Sequence, residues 1–150
     1  MEKIKNHILL RDLFILLLII APFIKCQIIT GSLVNASLFF AVYFLGFNKT
    51  LPLTFIPCLI ALSNGLLPFI SLVPFIIFSN LLLITLFEKY KDNLLNAVMI
   101  AAIGKGLFFY MILFMFPFCS YLFSLTQLMT AALGGIIFLK GKNYLKFTKD

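Results

Sequence analysis

The fold class the sequence predicts is all-α: a polytopic membrane protein of six transmembrane helices in one integral membrane domain spanning residues 1–150, with both ends cytoplasmic. Three observations predict it. First, the 150-residue chain is 63% hydrophobic and 11% charged, with a mean hydropathy of +1.13, whereas soluble domains run at about 45–50% apolar and about 25% charged. A soluble fold of this size cannot cover that much apolar surface, so the surrounding solvent is lipid. Second, apolar segments alternate with short polar punctuation along the whole chain. Third, the twelve basic residues fall almost entirely on one side of the membrane that this pattern implies.

The segments run over residues 8–24, 32–47, 51–69, 70–87, 94–116 and 118–139. A helix needs about 20 apolar residues to cross, with about 17 as a lower limit. The first segment follows a basic start and looks superficially like a signal peptide, but the context Ala21-Pro22-Phe23-Ile24-Lys25 is a poor cleavage site, so an uncleaved first helix is expected. Pro57, Pro68 and Pro74 predict bends or helix starts within the third and fourth segments. With an inside N-terminus, the inside pieces carry Lys3, Lys5, Arg11, Lys49, Lys89, Lys91, Lys140, Lys142, Lys146 and Lys149, while the outside pieces carry only Lys25. Cytoplasmic loops retain Lys and Arg. Fusing residues 51–87 into one kinked crossing would leave five spans and put the four tail lysines outside, so six spans are preferred. Orientation thus accounts for the net charge of +7, and no nucleic-acid partner is implied.

The twelfth basic residue is Lys105, in the stretch AAIGKGLFFY, eleven residues from either end of the fifth segment. At 1.5 Å per residue that is about 16 Å of helix, while a lysine side chain reaches only about 6 Å, so snorkelling to the interface is incomplete. A charge at this depth costs about 2.5–3.5 kcal/mol on insertion scales, and such groups face the bundle interior. The five acidic residues, Glu2, Asp12, Glu88, Asp92 and Asp150, all lie at span ends, in loops or in tails. No carboxylate is therefore expected beside Lys105. Three arrangements remain: a neutral amine held by amides and hydroxyls, a water-filled cavity, or an anionic ligand, and the ligand is preferred. The competing reading makes Lys105 a deprotonated, interhelical hydrogen-bonding group.

Other polar residues in the spans also have no easy lipid-facing role. They are Asn35 in the second, Ser63 and Asn64 in the third, Ser79 and Asn80 in the fourth, and Gln127 and Thr130 in the sixth. An unpaired amide in hydrocarbon costs several kcal/mol, so all are expected to turn inward. Gln127, Thr130, Ala131 and Gly134 share one helical face, as do Ala97, Ala101 and Lys105. Gly104 and Gly106 permit close approach by a neighbouring helix or a ligand. The candidate substrate-binding residues are Lys105, Asn80, Asn64, Asn35 and Gln127.

Several function classes find no support. The spans contain no carboxylate or histidine for proton coupling, and His7 lies in the basic N-terminal segment. No nucleotide-binding loop is present: residues 135–142 have the wrong spacing and are followed by Asn143. No catalytic constellation is visible. Cys26, Cys58 and Cys119 are too few and too scattered for a zinc site or an iron–sulfur cluster, so neither metal nor cofactor is expected. Free thiols are expected, with a Cys26–Cys119 bridge as the alternative.

The stretches TGSLVNASLFFAVYFLG, IPCLIALSNGLLPFISLVPFIIFSN and QLMTAALGG resemble those of a family of small clostridial membrane proteins, some of them labelled "iron hydrogenase". That family is similar to the substrate-binding S components of energy-coupling factor (ECF) transporters. The resemblance covers about residues 30–140. It implies an S-component-like six-helix bundle in the bacterial cytoplasmic membrane that captures a vitamin or metal-like micronutrient from outside. It also implies a shared ECF transmembrane scaffold and cytosolic ATPases as partners, with Asn35, Asn64, Asn80 and Gln127 in the quoted stretches and Lys105 following in the fifth helix. The chain departs from the pattern in lacking the A-x-x-x-A docking pair on the first helix, where residues 13–24 hold only Ala21; the nearest small pair is Ser37 and Ala41 on the second. The alternative function is a non-transporting membrane interaction protein whose intramembrane polar residues are structural.

Overall fold

The computed structural model describes residues 2–24, 26–64, 70–115 and 121–144. Pro68, Cys119, Lys25 and the tail beyond residue 144, with Lys146, Lys149 and Asp150, lie outside the described residues. All the regular structure among the described residues is helical: α1 (Glu2–Ile20), α2 (Gln27–Leu45), α3 (Phe47–Thr50), α4 (Ile56–Ser63), α5 (Val73–Lys89), α6 (Leu94–Met115) and α7 (Tyr121–Gly141), with 3₁₀ turns at Ala21–Phe23, Leu51–Thr54 and Ile70–Leu72.

Four helical spans are long and apolar enough to cross a membrane: Gln27–Leu45, Ile70–Lys89, Leu94–Ile112 and Phe123–Gly141. They correspond to the second, fourth, fifth and sixth segments expected from the sequence. The other two segments differ from a plain crossing for visible reasons. Helix α1 has the length, but Glu2, Lys3, Lys5, Arg11 and Asp12 interrupt its apolar character, and Arg11 pairs with Asp12 at 2.9 Å on an exposed side. The Phe47–Ser63 segment is apolar but short. It is also broken, because Pro52 and Pro57 each occupy the first turn of a new helical piece, where a missing N–H is tolerated.

The chain punctuates its helices with recognisable chemistry. Helix α2 stops at Gly46, whose φ of 86° is favourable only for glycine and whose N–H donates to the Val42 carbonyl. Helix α6 starts after Asn93, whose side-chain oxygen accepts from the Asn96 N–H at 3.3 Å, the usual N-cap arrangement. Pro74 opens α5.

Helices α2, α5, α6 and α7 form the bundle, with α1 packed on α2 and α4. Contacts between α2 and α7 are close because Gly134 has no side chain: a Cβ there would lie 2.8 Å from the Ala36 nitrogen, the Asn35 Cβ and the Ser32 carbonyl. Much of the buried apolar core lies toward one end of the bundle, the end marked by Leu45, Lys89, Leu94 and Gly141, and includes Phe39, Leu45, Phe87, Ala97 and Phe138. Rings of Phe39, Phe87 and Phe138 meet with centroids 5.0–6.0 Å apart, within the favourable range for aromatic pairs. Ala21, Ser37 and Ala41 are all buried, so none of these small residues presents a docking surface. Cys26 is an exposed free thiol and Cys58 a buried one.

Candidate binding site

A polar layer crosses the bundle halfway along its helices, and Lys105 is its hub. Lys105 is only 2% exposed; its face of α6 includes Ala97 and Ala101, both fully buried, which turns the lysine inward. Its Nζ donates to Asn80 Oδ1 at 2.7 Å and to Asn35 Oδ1 at 2.8 Å. Three helices, α2, α5 and α6, are thus joined through one lysine side chain.

Further hydrogen bonds set how the two amides face. Asn35 Nδ2 donates to Thr130 Oγ1 at 3.4 Å, and the Thr130 hydroxyl donates to the Gln127 carbonyl at 3.1 Å. With its hydrogen committed, that hydroxyl is left as an acceptor, which requires the amide nitrogen of Asn35 to face it and leaves Oδ1 for the lysine. Asn80 Nδ2 approaches the Thr54 carbonyl at 3.5 Å and Cys58 Sγ at 4.0 Å. A carbonyl can only accept, so the same orientation follows for Asn80.

The other four candidate residues behave in three different ways. Asn35 and Asn80 are buried partners of Lys105. Gln127 is half-buried, one helical turn before Thr130. Asn64, expected to turn inward, is exposed: its Nδ2 donates to the Ile60 carbonyl at 2.8 Å and to Ser63 Oγ at 3.3 Å. A short amide competes effectively for helix-end carbonyls, which satisfies Asn64 within α4 and keeps it out of the layer. Ser79 is buried and donates to the Ile76 carbonyl. Gly104 faces Leu86 and Gly106 faces Leu128, so both glycines serve helix packing.

Sequence reasoning missed Thr54 and Cys58. The signal was Pro57: a proline in a new helix start marks a break, and backbone carbonyls beside a break are open to a side-chain donor such as Asn80.

Lys105 is the one buried charged side chain among the described residues. Glu88, the nearest acidic residue along α5, pairs with Lys91 and sits eight residues past Asn80, about 12 Å along the axis. No group of three His, Cys, Asp or Glu among the described residues is placed to hold a metal. Every buried side-chain nitrogen or oxygen among the described residues has a hydrogen-bond partner. Among the described residues the layer therefore offers one buried amine, oriented amides and no carboxylate. Compared with protein-family models, curated proteins and solved structures, the chain matches none of them.

Proposed function

We propose that this chain is the membrane-embedded substrate-binding component of an energy-coupling factor type micronutrient transporter, with Lys105 contacting an anionic group of its ligand. In this reading the chain crosses the bacterial cytoplasmic membrane six times with both ends inside, α1 and the broken 47–63 segment completing the bundle. The observation that carries the proposal is the buried Lys105, held by two neutral amide oxygens from α2 and α5 and by no carboxylate among the described residues. Amide oxygens orient an ammonium without cancelling its charge, and an uncompensated charge in hydrocarbon is costly. A small anion supplies the missing charge. The sequence contains no nucleotide-binding loop, so energy for uptake would come from partner subunits: a shared transmembrane scaffold and cytosolic ATPases.

The experiment is purification of the tagged full chain from its membrane in mild detergent, followed by mass spectrometry of co-purifying proteins and small molecules. The wild type should carry a small molecule that Lys105→Met lacks, while both insert and remain folded. An identical small-molecule content in the two would overturn the role assigned to the lysine.

A second reading has its own observation behind it. Because all buried polar side chains of the described residues are already partnered, the layer also suits a non-transporting membrane interaction protein in which Lys105, Asn35 and Asn80 cement the helices. It predicts that Lys105→Met alters stability or assembly and leaves the small-molecule content unchanged.

A further inference from the structure

We propose that the end of the bundle marked by Leu45, Lys89, Leu94 and Gly141 is a binding surface for anionic phospholipid headgroups, with Lys49, Lys89 and Lys140 holding the phosphates. The inference needs only that the chain spans a membrane and does not depend on how the polar layer is read. It starts from a short pattern, Phe-x-Lys, at residues 47–49, 87–89 and 138–140. Two further instances, at 23–25 and 147–149, have their lysines outside the described residues. In each of the first three the ring belongs to the core at this end. Phe87 and Phe138 are fully buried with centroids 5.3 Å apart, and Phe47 packs against the same core.

A helix turns by about 200° over two residues, so a ring that points in sends the second residue after it out. Lys49, Lys89 and Lys140 are exposed accordingly. They face the circumference of the bundle, where lipid lies, and not the centre of its end, where a soluble partner would sit. Depth agrees with direction. Lys89 and Lys140 each stand about 3 Å along the axis from the touching rings, so they share one level. That level is where the apolar spans finish: Lys89 closes the span Ile70–Lys89, and Lys140 is next to last in Phe123–Gly141. A lysine there lays its stem along apolar surface and puts its ammonium among headgroups. Tyr90, 39% exposed, and Tyr144, 80% exposed, are at the same end, and tyrosine favours the same boundary.

Charge completes the case. Among the described residues none of the three lysines is paired with a carboxylate: Glu88 is taken by Lys91, which leaves Asp92 as the one unpaired acid on the α5–α6 turn. The opposite end of the bundle carries no charged side chain among the described residues. A zwitterionic headgroup brings its own cation to its phosphate, whereas an anionic headgroup leaves that charge to the protein. A lysine at an anionic membrane surface gains about fivefold in affinity. A lysine also suits the carbonyl end of its own helix, but that role draws no distinction between lipids. Lipid choice is therefore the property to measure.

The full chain, delipidated in detergent, is titrated with phosphatidylglycerol and separately with phosphatidylcholine of identical acyl chains, and bound lipid is counted by native mass spectrometry. Wild type should bind phosphatidylglycerol about fivefold or more tightly, with a preference that shrinks as salt rises. The triple change Lys49→Gln, Lys89→Gln and Lys140→Gln should abolish the preference, while Lys→Arg at the same three positions keeps it. Equal affinity of wild type for the two lipids overturns the proposal, and so does a preference that survives the triple Gln change. Displacement of phosphatidylglycerol by an equal concentration of inorganic phosphate assigns the lysines to free phosphate and overturns the lipid. Tighter lysine-dependent binding of polyglutamate or of an RNA oligonucleotide assigns the surface to a soluble partner instead. Should the triple Gln protein fail to fold, the three single changes carry the test: each should lower the preference, and three unchanged preferences refute it.

Discussion

Gly134→Ala is the smallest change expected to disturb the layer without touching any of its polar atoms. The added Cβ would lie 2.8 Å from the Ala36 nitrogen, the Asn35 Cβ and the Ser32 carbonyl oxygen. Non-bonded carbons prefer about 3.5–4.0 Å, so α2 and α7 must separate by about 0.7 Å or more. Two of the three obstructing atoms are backbone and the third is a Cβ, so no rotamer change relieves the clash. Overpacking of this kind costs about 1–3 kcal/mol. The shift also carries Asn35 away from Thr130, where the bond is already 3.4 Å; an interhelical hydrogen bond in a membrane protein averages about 0.6 kcal/mol. The combined expectation is a loss of about 2 kcal/mol. Reversible unfolding in mixed detergent and SDS micelles, followed by far-UV circular dichroism, measures it. Gly141→Ala is the internal comparison, because there the added Cβ meets a Phe40 ring carbon at 2.8 Å and a ring can move. A Gly134→Ala protein within about 0.5 kcal/mol of wild type, the usual range of a surface substitution, would refute the claim that this glycine sets the α2–α7 spacing.

The same unfolding assay checks three further expectations, and ligand analysis checks a fourth. Phe138→Ala removes the ring that meets Phe39, Phe40, Tyr43 and Phe87 and should cost about 3–5 kcal/mol. Asn93→Ala deletes the cap at the start of α6 and should cost about 1 kcal/mol. Gly46→Ala places a Cβ on a backbone with φ of 86° and ψ of 163°, a region essentially confined to glycine, and should cost about 1–3 kcal/mol, although open space surrounds the site. Asn64→Ala should leave both stability, within about 0.5 kcal/mol, and small-molecule content unchanged, since Asn64 is exposed and bonded within its own helix; a lost ligand would return this residue to the site.

Much of this arrangement could be read from residue order alone, for reasons that differ by element. Hydropathy identifies α2, α5, α6 and α7 because each is a nearly unbroken apolar run. Lys105 could be placed inward because a charge so far from both helix ends has nowhere else to go, and Asn35 and Asn80 followed from the same cost applied to amides. That cost carries no positional information near a helix end, and there the reasoning failed for Asn64, which found acceptors on the preceding turn. The 47–63 segment was harder still. Averaged hydropathy does not register that Pro52 and Pro57 each restart the helix, and only the folded chain shows Thr54 and Cys58 brought against Asn80. Which amide atom faces the lysine was equally invisible, since it depends on Thr130 bonding back to its own helix.

The ring-packed end of the bundle has a consequence for how this protein can change over generations. Phe39, Phe87 and Phe138 meet at tilted and edge-on angles below the lysine and borrow nothing from it. The aromatic floor therefore gathers the helices at that end whatever stands at 35, 80, 105 and 127, so a change in the polar layer is weighed by the interhelical hydrogen bonds it breaks and not by the packing beneath it. Laboratory evolution of the polar layer would do best to randomise the upper tier and leave the phenylalanines alone.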